Sequence, residues 1–256
     1  MNPTAYVFPV IMLLAFAGYF VWTMQKRKSA LAGFGPAAQS FFERTGFRYA
    51  EMAQAPIDAH VARAVQESQN YTPGDRTIHY VRSFHGLPIH FRQTYEHQDN
   101  AFHVSCHWSA PLSRPPRIPF HIADKSLDSV GKMVKEAFSN SQRVWSAKHP
   151  HRVQTGNPQI DGRFMVFGQD PQAVAWLLSQ NPGLVSLLMS CVEVDLYVDA
   201  ASAVFADPLQ KNMNQAMGGM VGNMALGFDL AKRMDLSVPV HDRMSEILAH
   251  AVRASA

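Results

Sequence analysis

The stretch that decides the fold is RTIHYVRSFHGLPIHFRQTYEHQDNAFHVSCHWS, residues 76–109. It contains three runs of alternating residues, 76–84, 87–96 and 101–109, and the first two flank the turn dipeptide His85-Gly86. Alternation of apolar and polar residues between turn signals is typical of antiparallel strands with one buried face. The sequence therefore predicts a three-stranded meander.

The length of the second loop predicts the register of the second and third strands. If residues 97–100 form a four-residue loop, opposed positions sum to 197, so Phe91 faces Cys106. One face of the meander is then almost entirely apolar, as a half-buried sheet requires.

Residues on either side of the meander predict an α+β domain. Helical patterns lie at about 37–45 and 56–69. The segment RFMVFG at 163–168 has apolar residues at both odd and even positions, as in a central strand that is buried on both faces. Asp170-Pro171 predicts an N-cap and first turn for a helix over 171–180. We expect a mainly antiparallel sheet packed with helices.

Residues 164–189, FMVFGQDPQAVAWLLSQNPGLVSLLM, resemble a family of bacterial membrane-anchored proteins that is known only as a domain of unknown function. The shared pattern is a strand F-x-V, then D-P, then a helix with an alanine and a leucine pair. The matching residues are Phe164, Val166, Asp170, Pro171, Ala175, Leu177 and Leu178. The resemblance implies a cytoplasmic α+β domain tethered to the inner membrane, and it implies no catalytic residues.

The N-terminal stretch AYVFPVIMLLAFAGYFVWTM, residues 5–24, carries no charge. About 20 apolar residues span a hydrocarbon core of ~30 Å as a helix. A cleaved signal peptide would need a basic start, and Met1–Thr4 has none. Lys26, Arg27 and Lys28 follow the apolar run, and basic flanks stay on the cytoplasmic side. The sequence predicts a single-pass inner-membrane protein with the N-terminus out, the domain in the cytoplasm, and the lipid bilayer as a partner.

Charge and composition limit the remaining organisation. The chain has 23 Lys+Arg against 20 Asp+Glu, and the three basic residues at 26–28 account for the whole excess. A neutral domain argues against nucleic-acid binding. We expect an anchor with its basic flank at 1–28, a tether at 29–36, an α+β domain at 37–208 and a C-terminal helical segment at 209–256, with helices near 209–234 and 240–253.

Histidine is the one residue type that suggests chemistry, because seven of the 12 lie between His79 and His121. The predicted register places His90 opposite His107, with Cβ atoms ~4.5–5.5 Å apart. Such a pair can hold a metal or titrate near neutrality, and a polar sheet face that merely uses imidazole is the alternative. Because no further ligands converge on His90 and His107, we expect no metal and no cofactor.

The cysteine and the two carboxylates that could carry chemistry, Cys106, Glu193 and Asp195, are expected to have structural roles. Cys106 lies on the apolar face beside Trp108, as expected of a buried inert thiol. Glu193 and Asp195 share the outer face of their strand, as expected of solvated charges.

A methionine stripe follows at helical spacing and is our candidate partner-binding surface: Met213, Met217, Met220, Met224 and Phe228. Methionine adapts to irregular partners, although a helix packed on the domain's own sheet, or one resting on a membrane, has the same pattern.

These features predict a membrane-anchored binding or scaffold protein, an accessory subunit of a membrane complex, that binds a protein partner. One alternative is a membrane-tethered enzyme that uses the histidine-rich sheet face, with a metal ion. A second alternative is a lipid or small-ligand pocket between the sheet and the C-terminal helices.

Overall fold

The computed structural model describes residues 33–69, 75–98, 101–126, 151–207, 210–217 and 229–256. The strands are β1 (Arg48–Tyr49), β2 (Arg76–Phe84), β3 (Leu87–Gln98), β4 (Ala101–Pro111), β5 (Phe120–Asp124), β6 (His151–Val153), β7 (Phe164–Gly168), β8 (Asp195–Val198) and β9 (Ser202–Asp207). In these ranges they form one nine-stranded antiparallel sheet with the order β1-β2-β3-β4-β9-β8-β5-β7-β6. The α+β class predicted from the sequence is confirmed.

The described helices are α1 (Phe34–Thr45), α2 (Ile57–Gln69), α3 (Pro158–Arg163), α4 (Pro171–Gln180), α5 (Pro182–Met189), α6 (Lys211–Ala216) and α7 (Leu230–Ser255). Helix α7 packs against α1, α5 and α6 and lies across β4 and β9. Phe91, Trp108 and Phe205 are buried on the sheet face that these helices cover, and the C-terminal helix contributes Met244 and Ile247 to the same core.

The meander forms as predicted, but the register between its second and third strands, β3 and β4, differs from the prediction by two residues. His85 and Gly86 both have positive φ, as the tight turn between β2 and β3 requires. Strands β3 and β4 pair Phe91 with Trp108, so opposed positions sum to 199 rather than 197. A shift of two residues keeps every side chain on its face. Cys106 is therefore buried, as predicted, although it lies opposite Gln93 instead of Phe91.

The predicted start of helix α4 is confirmed. The Asp170 carboxylate accepts hydrogen bonds from the backbone N–H of Gln172 at 3.0 Å and of Ala173 at 3.1 Å, and Pro171 occupies the first turn. These bonds satisfy backbone donors that the first helical turn leaves without partners.

The C-terminal helix continues through the break that the sequence predicts before residue 240. Pro239 lies inside α7 but is exposed, so the carbonyl four residues earlier, on exposed Asp235, stays accessible to water. Val238 and Val240 on either side are buried and keep the helix on the sheet. At its other end, α1 begins at Phe34, inside the predicted tether.

In the described part of the chain, no helix is both long enough and apolar enough to cross a membrane. Helix α7 has the length, with 26 residues, but it carries charged side chains along it, among them Lys232, Asp242 and Glu246. This finding contradicts the predicted transmembrane helix, single-pass topology and inner-membrane location. Residues 5–24 and the cluster Lys26, Arg27 and Lys28, on which that prediction rested, lie outside the described residues.

Arg82 ties the sheet to α1 and α7 from inside the core. Its guanidinium donates hydrogen bonds to Asp242 Oδ1 at 2.7 Å, to the carbonyl oxygens of Thr45 and His241 at 2.9 Å each, and to Ser245 Oγ at 2.6 Å. Burial lowers the pKa of Arg82, and the hydrogen bond to Asp242 opposes that change. Because all these acceptors belong to the same chain, the buried Arg82 has a structural role and joins the sheet to the two helices.

Candidate functional site

The face of the meander that points away from the core carries a group of cationic and imidazole side chains. We call His79, His90, Arg92 and His107 the histidine face. Arg92 pairs with His79 across β2 and with His107 across β4, so one arginine lies between two histidines in the same row of the sheet. Arg92 is exposed, and the three histidines are half-buried.

His79 and His90 contact one another directly. His79 Nε2 lies 3.0 Å from His90 Nδ1, and the ring centroids are 5.2 Å apart. One of the two nitrogens must donate and the other accept, so both rings can be neutral in this contact. Burial, followed by the charge of Arg92, lowers the pKa of both histidines.

The predicted opposition of His90 and His107 is wrong, because the register differs by two residues. His90 lies opposite Ser109, and His107 lies opposite Arg92. His90 and His107 are thus diagonal neighbours, a relation that separates Cα atoms by roughly 7–8 Å. Across the described residues, no group of three or more His, Cys, Asp or Glu side chains is arranged to hold a metal ion.

His107 lies between opposite charges on this face. Burial is the main cause that lowers its pKa, Arg92 lowers it further, and Asp195 and Glu96 raise it. Asp195 lies on β8 and contacts His121 of β5, with Oδ1 2.7 Å from Nε2. The polar surface therefore continues from the histidine face toward the centre of the sheet.

A second polar group is buried at the end of β9, and we call it the carboxylate clamp: Glu193, Asp207, Lys211 and Asn212. The Asp207 carboxylate accepts hydrogen bonds from the backbone N–H of Lys211 at 2.7 Å, of Asn212 at 3.0 Å and of Met213 at 3.3 Å. The ammonium of Lys211 contacts Glu193 Oε2. The clamp fastens the short helix α6 to the core.

Asn212 completes the clamp by bridging the turn before β8. Its Oδ1 accepts from the N–H of Val192 at 2.9 Å, and its Nδ2 donates to the carbonyl of Glu193 at 2.8 Å. Glu193 is only 2% exposed, so it does not share a solvated face with Asp195 as the sequence suggested. Burial, reinforced by the charge of Glu193, raises the pKa of Asp207 to about 6.

Both cysteines are buried thiols. Burial is the largest cause that raises the pKa of Cys106 well above its ordinary value, and burial raises that of Cys191 to about 11. A thiol with a raised pKa is protonated at neutral pH and is a poor nucleophile.

The methionine stripe is only partly described. Met213 is 6% exposed and belongs to the core, and half-buried Met217 packs against that core. Met220, Met224 and Phe228 lie outside the described residues. In the described part, the stripe therefore packs inside the protein.

Comparisons with known proteins give little further information. No protein-family model matches the chain, and no curated protein matches it. A solved structure, the mycobacterial trehalose monomycolate transport factor A, TtfA, aligns with a TM-score of 0.37 and 12% sequence identity, over 80% of this chain and 94% of that one. At that TM-score the likeness carries no argument about fold or function.

Proposed function

We propose that this protein is a binding protein that docks an acidic surface of a protein partner on the histidine face. Arg92 is the observation that carries the proposal. Its guanidinium is exposed, and among the described residues it forms neither an ion pair nor a hydrogen bond. Arg82 and Arg163, by contrast, each pair with a carboxylate of the same chain.

The surroundings of Arg92 favour a carboxylate as the group that it binds. A guanidinium donates two parallel hydrogen bonds to a carboxylate, in a geometry that lysine lacks. His79 and His107 lie on either side of Arg92 in the same row. Their lowered pKa values leave the imidazoles neutral at pH 7, so each ring carries a single N–H. The N–H of His79 is available to a ligand when His90 is the donor in the contact between the two rings.

The paired strands hold the backbone of Arg92, His79 and His107 in place before any partner binds. Arg92 lies in the middle of the 12-residue strand β3, which is paired on both sides. The backbone of the site is therefore ordered before binding, and a partner has to order only side chains such as that of Arg92.

Binding is favoured over catalysis because the strongest nucleophiles of the chain are sealed in the core. Cys106 and Cys191 are buried with raised pKa values. His241 is also buried, and burial lowers its pKa to about 3, so it remains neutral beside Trp108. The enzyme alternative is thus left without a thiolate nucleophile.

The test is an NMR titration of the full chain with a blocked tetraglutamate peptide, followed at the Arg92 side-chain N–H. We expect binding with a Kd on the order of millimolar, which corresponds to about −4 kcal/mol. Arg92→Glu removes the binding because it places a like charge at the contact. Arg114→Glu makes the same charge change at an exposed loop position and keeps the binding.

Two results would contradict the proposal. Binding that survives Arg92→Glu would place the contact elsewhere. Equal loss in both variants would mean that the peptide responds only to net charge.

A further inference from the structure

We infer that the histidine face is a proton-coupled carboxylate site, in which Arg92 holds the carboxylate and the His79–His90 pair takes up one proton as the carboxylate binds. The inference rests on the proposed function and names the ligand group and the regulation of the same site. The proton comes from the solvent, and no bond other than N–H is formed or broken.

The contact between the two rings determines how many protons the pair accepts. The 3.0 Å separation of His79 Nε2 and His90 Nδ1 requires one N–H and one lone pair at the contact. In either tautomer, the ring that donates has a lone pair on its other nitrogen. One added proton can occupy that outer nitrogen without disturbing the contact.

A second proton has no such place. It would have to go to the ring that accepts, at the nitrogen that already receives the hydrogen bond, so that N–H would face N–H and two cations would lie in contact. The pair is therefore a one-proton device, and the added proton turns an acceptor nitrogen into a donor.

Arg92 couples this proton to the ligand. Its charge opposes protonation of both rings, and it lies directly across the strand pair from His79 and two residues along the strand from His90. A carboxylate bound to Arg92 brings one negative charge beside the pair, and this charge offsets the positive charge of Arg92. Protonation becomes more favourable, and by linkage the proton strengthens carboxylate binding in turn.

Other charged groups facing the site modify the coupling without reversing it. Glu51, from the turn after β1, raises the pKa of His79 slightly, and it is engaged by Arg63. Asp195 and Glu96 act on His107. None of these groups changes when the ligand binds, so the change in charge occurs at Arg92.

The experiment measures affinity and imidazole titration together, using the full chain and the blocked tetraglutamate peptide between pH 5.5 and pH 7.5. We expect the affinity to fall as pH rises, by at most about tenfold per pH unit, because one proton is linked to binding. We also expect the His79 and His90 imidazole signals to titrate at higher pH when the peptide is saturating.

Variants separate the proton from the carboxylate. His79→Gln with His90→Gln keeps polar side chains on the sheet but removes the titration of the pair, so binding at pH 7.5 survives and the pH dependence that the pair supplies is lost. His107→Gln is added to both proteins that are compared, because His107 lies opposite Arg92 and also responds to its charge. His79→Gln alone leaves His90 to titrate beside Arg92 and keeps part of the pH dependence, so it serves as the folding control. If the double variant folds poorly, the imidazole titration of the unmodified chain decides. His151→Gln, at an exposed position on β6, leaves the pH dependence intact.

The outcomes distinguish the two proposals. Peptide binding that depends on Arg92 but has neither pH dependence nor a shifted imidazole titration would overturn the proton coupling and leave the binding function standing. No peptide binding by the unmodified chain at any pH would remove both. Tighter binding of inorganic phosphate than of the peptide, with the same proton uptake, would overturn the assignment to a carboxylate.

Discussion

Replacing Asp207 by asparagine removes a pH-dependent part of the stability of this protein. The carboxylate is 1% exposed and accepts backbone N–H groups of Lys211, Asn212 and Met213. Burial nevertheless raises its pKa to about 6, against an ordinary value of 3.8, and Glu193 adds to the rise. The three hydrogen bonds therefore compensate the buried charge only in part.

The sign and size of the effect follow from linkage. The folded state binds the Asp207 proton more tightly than the unfolded state does, so protonation stabilises the fold. This contribution is fully present below pH 3.8 and is lost as pH rises through about 6. A difference of about two pKa units, at 1.36 kcal/mol per unit, corresponds to about 3 kcal/mol.

The assay is urea unfolding of the unmodified chain and of Asp207→Asn at pH 4, 5, 6 and 7. A comparison is needed because other groups titrate in this range. Burial lowers the pKa of His241 to about 3, for example, so His241 destabilises the fold as pH falls below about 6.5. The difference between the two proteins cancels that contribution.

We expect the unmodified chain to gain between about 2 and 3 kcal/mol relative to the variant between pH 7 and pH 4, because most of the full contribution is present at pH 4. The amide of the variant still accepts a hydrogen bond through Oδ1, which helps it to fold. A difference in unfolding free energy that stays constant across this range would refute the reasoning.

Two further substitutions test the core. Arg82→Leu should lower the free energy of unfolding by about 3 kcal/mol, because it removes the donor to the buried carbonyl of Thr45 and the ion pair with Asp242. Arg114→Leu, at an exposed position, should change it by less than about 0.5 kcal/mol, and equal effects in urea unfolding would contradict the role of Arg82. Cys106→Asp should destabilise the protein by several kcal/mol because it buries an unpaired charge near Asp207. The control is Ser105→Asp, on the opposite face of the sheet. If Cys106→Asp leaves thermal unfolding unchanged, the face that carries Cys106 is not part of the core.

The meander shows how far the sequence determines a sheet. Alternation predicts which side chains are buried, and Cys106 and Trp108 are indeed at 0% exposure. Alternation does not predict register, because a shift of two residues leaves the pattern unchanged. The loop between β3 and β4 sets the register, and its length was assigned two residues too long. That is why His90 was expected opposite His107.

The contacts that hold the core together join residues far apart in sequence. Trp108 Nε1 donates to His241 Nδ1 at 3.0 Å across a separation of 133 residues, and Arg82 reaches Ser245 across 163. No local pattern contains such a pair. The carboxylate clamp has no such local signal either. Asp207-Pro208 repeats the Asp-Pro pair that predicted the start of α4, but α6 begins only at Lys211, with Gln210 as its N-cap.

The polar groups on the two faces of the sheet differ in their partners, and this difference supports placing the proposed binding function on the histidine face. On the face covered by helices, Arg82 and Trp108 donate hydrogen bonds to acceptors of the same chain. Removing either side chain therefore affects folding. On the histidine face, Arg92 is exposed to water and, among the described residues, donates to no acceptor of the same chain. A partner's carboxylate must displace that water, and this cost limits the affinity of a single exposed ion pair. In the proposed coupling, the neighbouring pair takes up a proton only when the carboxylate is present, and this proton adds a donor and a second positive charge. It offsets part of the cost, and the free protein carries no second unpaired cation beside Arg92.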